Sequence, residues 1–152
     1  MVRSSAKKIL APVDGSQYME RNVGYICGMA KSTGSRLTFI HVVSLPGPSH
    51  PWSPSVEFPS HIRGLKKPLE ESASTILDEA RNIAKRSGVD ADTILQTTYG
   101  NPAQAIVKVA EEQKFDLILI GAKSHSLLRN LSVGSVCDAV LHNAPCSVLV
   151  VR

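Results

Sequence analysis

Five short apolar runs alternate with four stretches whose apolar residues recur at helical spacing, and this alternation leaves few folds open to the chain. The runs are Lys8-Ile-Leu-Ala-Pro-Val-Asp14, Arg36-Leu-Thr-Phe-Ile-His-Val-Val43, Asp92-Thr-Ile-Leu-Gln-Thr-Thr-Tyr99, Asp116-Leu-Ile-Leu-Ile-Gly121 and Cys146-Ser-Val-Leu-Val-Val151. Nearly unbroken apolar runs of this length suit strands covered on both faces. Between them, Met19, Val23, Ile26, Cys27 and Ala30 share one helical face, and Leu69, Ala73, Leu77, Ala80 and Ala84 share another. Ile106, Val109 and Ala110 mark a third helix, and Val133, Val136 and Val140 a fourth. Alternating strands and helices predict an α/β fold: an open parallel five-stranded sheet of flavodoxin or Rossmann-like type, in the order 3-2-1-4-5, with right-handed crossovers and helices on both faces. With 152 residues, 43% of them hydrophobic, one domain spanning residues 1–152 is expected.

Local signals place the boundaries. Gly15-Ser16 reads as a turn and helix N-cap, Gly34 as a helix stop, and Asn101-Pro102 as an N-cap followed by a proline at the first helical position. Ser87-Gly88 closes the second helix, and Pro145 ends the fourth near Asn143. From Ser44 to about Lys67 the periodicity vanishes. Pro46, Pro48, Pro51, Pro54 and Pro59 predict a long loop there, either a lid over a ligand or a plain crossover, which carries the single tryptophan, Trp52.

Composition excludes several classes. The 17 basic and 13 acidic residues give a formal charge of +4, without the interleaved basic and aromatic residues of a nucleic-acid surface, so no nucleic-acid partner is expected. No apolar stretch approaches the roughly 20 residues that span a bilayer, and the N-terminus has no apolar signal core, which predicts a cytoplasmic protein without a membrane partner. Cys27, Cys137 and Cys146 are odd in number and lack metal spacing, and read as buried free thiols of a reducing compartment. No metal-ligand cluster and no nucleophile or general base poised for catalysis is visible, so any hydrolysis is expected to be slow.

The segment Gly121-Ala-Lys-Ser-His-Ser-Leu-Leu-Arg-Asn-Leu-Ser-Val-Gly134-Ser135 carries the chemistry. It leaves the end of the fourth strand as a polar loop and restarts as a helix, whose first N–H groups and dipole favour an anion such as phosphate. Lys123, His125 and Arg129 add counter-charge. Ser124 stands where a second glycine would ease close backbone approach. At φ < 0 it costs nothing and adds a donor, whereas at φ > 0 it costs roughly 1 kcal/mol or more. In a sheet of this type, ligands sit beyond the strands' carboxyl ends, which here brings Pro12-Val13-Asp14 and Val42-Val43 to the same edge. Asp14 is either a ligand or the first residue of an Asx turn, and Ser135 either meets phosphate or caps the helix. His41, inside an apolar strand, reads as a hydrogen-bonded structural residue.

Taken in order, Ile9-Leu-Ala-Pro-Val-Asp-Gly-Ser16, His41-Val42, Gly100-Asn-Pro-Ala103, Phe115-Asp-Leu-Ile-Leu-Ile-Gly121, Gly134-Ser135-Val136 and Ala144-Pro-Cys-Ser-Val-Leu-Val-Val151 resemble the universal stress protein family over nearly the whole chain. The resemblance is to its ATP-binding branch, whose signature is Gly, two residues, Gly, nine residues, then Gly-Ser or Gly-Thr. Here Gly121, Ser124 and Gly134-Ser135 keep the spacing and replace the middle glycine. The resemblance implies an adenine-nucleotide (ATP) binding regulatory or stress-response module, with Mg2+ accompanying the nucleotide. Asp14 would hold the ribose, the Val42 backbone would meet the adenine, and the Gly121 to Ser135 loop would wrap the phosphates. It also implies a homodimer through the C-terminal strand. Family members without the loop's glycines suggest the alternative, a dimeric interaction protein of the same fold that binds no nucleotide.

Overall fold

A computed structural model describes residues 8–46, 60–122 and 134–152. Five strands, β1 (Lys8–Pro12), β2 (Arg36–Ser44), β3 (Ala91–Thr98), β4 (Leu117–Gly121) and β5 (Ser147–Val151), form one sheet in the order β3-β2-β1-β4-β5, with every pairing parallel. The intervening helices are α1 (Met19–Thr33), α2 (Ser60–Arg86), α3 (Pro102–Glu112) and α4 (Ser135–Asn143).

The side-chain period of two divides the apolar runs between two cores. Ile9, Ala11, Leu37, Phe39 and Leu119 pack under α1 and α2, whereas Leu10, Ile40, Ile118 and Ile120 pack under α3 and α4. The α1 residues expected to face inward, Met19, Val23, Ile26, Cys27 and Ala30, are the buried ones. Gly34 ends α1 in the left-handed region at φ 64°, and the next N–H, of Ser35, returns to the Ala30 carbonyl at 3.0 Å. Asn101 caps α3 by accepting from the Ala103 N–H at 2.8 Å, with Pro102 at the first helical position.

Two expectations fail. The loop starting at Ser44 does not run to Lys67, because α2 already begins at Ser60 and carries Pro68 inside it. A proline in a helix loses one N–H and crowds the carbonyl four residues back. Here that residue is the exposed Gly64, and α2 continues through Pro68 to Arg86. Nor is Ser16 the N-cap of α1. Tyr18 holds that position without a side-chain bond, and the buried Ser16 instead gives its N–H to Asp14 Oδ1 at 3.0 Å, closing an Asx turn. Residues 47–59, with Trp52, lie outside the described residues.

The turn depends on Gly15, at φ +69°, where a Cβ would come within 2.9 Å of Ile76 Cδ1. Gly15→Ala is expected to lower unfolding free energy by about 1–2 kcal/mol, the cost of a left-handed non-glycine residue. Gly24→Ala, exposed in α1 with open space around it, is expected to raise stability by up to about 1 kcal/mol. Urea unfolding of both variants checks the two signs.

Candidate functional site

The site follows from where pairing stops. β1 and β2 pair along the whole of β1, from Lys8↔Arg36 to Pro12↔Ile40. On its other side, β1 pairs with β4 only at Ile9↔Leu117 and Leu10↔Ile118, although both strands continue. Polar groups of alternate residues face alternate neighbours in a strand. The Val13 N–H reaches the Ile40 carbonyl at 2.9 Å, so odd residues of β1 turn toward β2 and even ones toward β4. The next even residue after Leu10 is Pro12, which has no N–H to give. The ladder stops, and a crevice opens between the carboxyl ends of β1 and β4, where the strand order reverses.

That crevice is a cavity of about 210 Å³. Pro12, Val13, Asp14, Val42, Gly121 and Gly134 all line it, so six of the residues singled out from sequence come together. Ser135, the first residue of α4, is not among the described lining residues, and Gly134 rather than Ser135 is the helix cap. Lys123, Ser124, His125 and Arg129 lie outside the described residues.

Each wall has a separate cause. The same alternation that turns Ile40 toward β1 turns Val42 to that side, two positions beyond the end of β1. The Val42 N–H and C=O therefore point over the strand end into the crevice, a donor and an acceptor side by side. Val13, by contrast, has spent its backbone: its N–H goes to Ile40, and its carbonyl accepts from His41 Nδ1 at 2.6 Å. Val13 thus contributes apolar wall. The bond also fixes His41, whose Nδ1 must carry the proton because a carbonyl only accepts. His41 is hydrogen-bonded, as its setting in the strand suggested, and it also lines the cavity.

Of the two roles considered for Asp14, the structure shows the Asx turn. Oδ1 closes the Asx turn, while the carboxylate stands exposed at the cavity edge. Gly134 gives its N–H to the Ala122 carbonyl at 2.8 Å, tying the start of α4 to the end of β4. The first bond within the helix runs from the Asp138 N–H to the Gly134 carbonyl at 2.9 Å, and the N–H groups before it are those that a helix start leaves without an intrahelical acceptor. α3 adds Pro102 and Ile106, and Ile40, Ile120 and Val136 complete the largely apolar wall.

Cys137 lines the same cavity and is buried; burial first, then the Asp138 carboxylate, push its thiol from 9.0 up to about 11. It is a neutral wall residue and not a nucleophile. Cys27 is likewise buried, but Cys146 is only half-buried, against expectation. Among the described residues, no group of three or more His, Cys, Asp or Glu gathers to hold a metal ion, and no helix is long and apolar enough to cross a membrane.

Asn22 was missed. It lines the cavity from α1, and its Oδ1 is buried with no hydrogen-bond partner, alone in this among the described residues. The signal was in the sequence: Asn22 follows Met19 by three residues and precedes Ile26 by four, a polar residue set on the apolar stripe.

The model of the universal stress protein family matches residues 5–152, and a universal stress protein of Methanocaldococcus jannaschii is 33% identical over 148 residues, covering 96% of this chain and 82% of that protein. The chain belongs to the universal stress protein family. Solved universal stress proteins share its fold. UspA from Lactobacillus plantarum superposes with a TM-score of 0.80 at 24% identity, covering 99% of this chain and 100% of its own. A universal stress protein in complex with cAMP superposes at 0.68, with 24% identity and 98% of each chain covered. The Archaeoglobus fulgidus protein in complex with dAMP superposes at 0.65, with 23% identity, over 95% of this chain and 97% of its own.

Proposed function

We propose that this universal stress protein is an adenine-nucleotide-binding regulatory module, with ATP as its ligand, held in the crevice between β1 and β4. The observation that carries the reading is that Val42 lines a largely apolar cavity beyond the end of β1, where the alternation of β2 turns its N–H and C=O to the β1 side. An adenine edge offers an acceptor nitrogen beside an amino donor, the complement of that pair, and its flat faces suit walls such as Ile40, Ile106 and Val136. The Asp14 carboxylate at the rim accepts from ribose hydroxyls, and the opening N–H groups of α4 suit phosphate. Complexes of structural relatives with cAMP and dAMP support the ligand class. Mg2+ would arrive on the phosphates, since no described cluster of protein ligands is set to hold it alone.

Calorimetric titration of the dialysed protein with ATP is expected to show one site per chain. Asp14→Ala is expected to weaken binding about tenfold, and Ser124→Gly to tighten it several-fold if Ser124 is strained at φ > 0. No heat of binding at millimolar ATP overturns the reading.

The proposal extends to a homodimer through β5. This strand ends the sheet, pairing with β4 alone, and its Val148, Leu149 and Val150 are half-buried within one chain. An apolar edge of this kind invites antiparallel pairing with its own copy, an isologous contact. The Val151 carbonyl accepts from Ala122, so odd residues of β5 face β4, while Val148 and Val150 turn their N–H groups outward. Val150→Pro removes an outward donor and spares the β4 ladder. Light scattering is expected to give twice the chain mass for wild type and the single chain mass for a folded Val150→Pro. A wild-type protein of single chain mass contradicts the dimer.

A further inference from the structure

Asn22 is a polar residue of the cavity that the proposed site has not used. It stands on the inward face of α1 between Met19 and Val23, both buried, where the stripe calls for an apolar residue. An unmade hydrogen bond at a buried acceptor is destabilising, and buried polar side chains are mostly paired. Here Oδ1 has neither protein partner nor solvent exposure, and the residue borders the cavity. A buried acceptor without a partner, on a residue that borders a cavity, is a half-made contact that a ligand donor completes once the side chain turns toward it.

The chemistry of that donor narrows the choice. Phosphate oxygens near neutral pH only accept, and they would face Oδ1 with repulsion. The donors of an adenine nucleotide are the amino group of the base and the hydroxyls of the ribose. The amino group is already matched by the Val42 carbonyl on the β2 side of the crevice. Asn22 lies on the β1 to α1 side, one turn into the helix that leads from Asp14, the carboxylate placed at the ribose.

We infer that Asn22 Oδ1 accepts a hydrogen bond from a ribose hydroxyl of the bound nucleotide, making Asn22 a specificity-determining residue that favours ribose over sugars lacking hydroxyls. The inference rests on the nucleotide reading and adds a contact from α1, on the face of the sheet opposite α3 and α4. It also couples nucleotide binding to the packing of α1: Asn22 costs stability in the ligand-free protein and returns it on binding.

The test compares wild type, Asn22→Leu and Asn22→Ala with two probes, adenosine 5′-monophosphate and its 2′,3′-dideoxy analogue, by calorimetry, together with urea unfolding of the ligand-free proteins. Asn22→Leu is expected to bind the monophosphate about five- to tenfold more weakly, to bind the dideoxy analogue as wild type does, and to unfold at equal or higher urea concentration without ligand. Asn22→Ala repeats the reduced sugar discrimination should leucine not fit, the remaining preference being that of Asp14. The inference is overturned if both probes weaken by the same factor, or if both variants lose ligand-free stability while keeping the wild-type preference for the hydroxylated sugar. Failure of wild type to bind either probe overturns the nucleotide reading itself, and this inference with it.

Discussion

A missing hydrogen bond at Pro12 sets up everything the carboxyl edge of this sheet offers. A proline in a central strand would ordinarily break a ladder that the fold needs. Here it falls one step beyond Leu10↔Ile118, on the side facing β4, where the ladder is due to end. β1 stays fully paired with β2 while parting from β4, and the crevice opens at the point where the chain reverses its winding direction. One residue without an N–H turns a topological weak point into a cavity.

The cavity is economical in its polar groups. Most of the groups that could face it are already committed: Val13 to Ile40 and His41, Gly134 to Ala122, and one oxygen of Asp14 to the Asx turn. What remains at its walls is sparse: Val42, the rim carboxylate of Asp14, the start of α4 and Asn22, whose buried Oδ1 has no partner. An apolar pocket with a few convergent polar groups fixes the orientation of a ligand more than it supplies chemistry, which fits a module that senses or holds a nucleotide. The thiol of Cys137, neutral in the wall, belongs to that same quiet lining.

Much of this was legible in the sequence because the signals are local. Buried parallel strands write themselves as apolar runs, Asn101-Pro102 and Gly34 mark helix ends by their own backbone chemistry, and the five strands fall within a residue or two of expectation. The start of α2 was not legible. Proline density up to Pro59 argued for loop, and no local rule says that Pro68 would be absorbed into a helix whose neighbour four residues back is glycine. Ser16 was misread because a serine after a strand suits a cap and an Asx turn equally, and only the position of Asp14 decides between them. The commitment of the Val13 backbone and the orphaned acceptor of Asn22 depend on which groups β2 and α1 bring alongside, information that exists only after packing. Family membership, in turn, rested on the order of several weak motifs, each common alone.

The central claim is that a nucleotide base lies over the ends of β1 and β2 with its sugar toward α1. Backbone amide shifts of isotopically labelled protein, followed during titration with adenosine 5′-monophosphate, test it most directly. The account predicts saturable shifts at Asp14, Val42, Ala122 and the first turn of α4, with β3 and the far end of α2 unmoved. Shifts confined to β5 or α2, or none at saturating nucleotide, would contradict it.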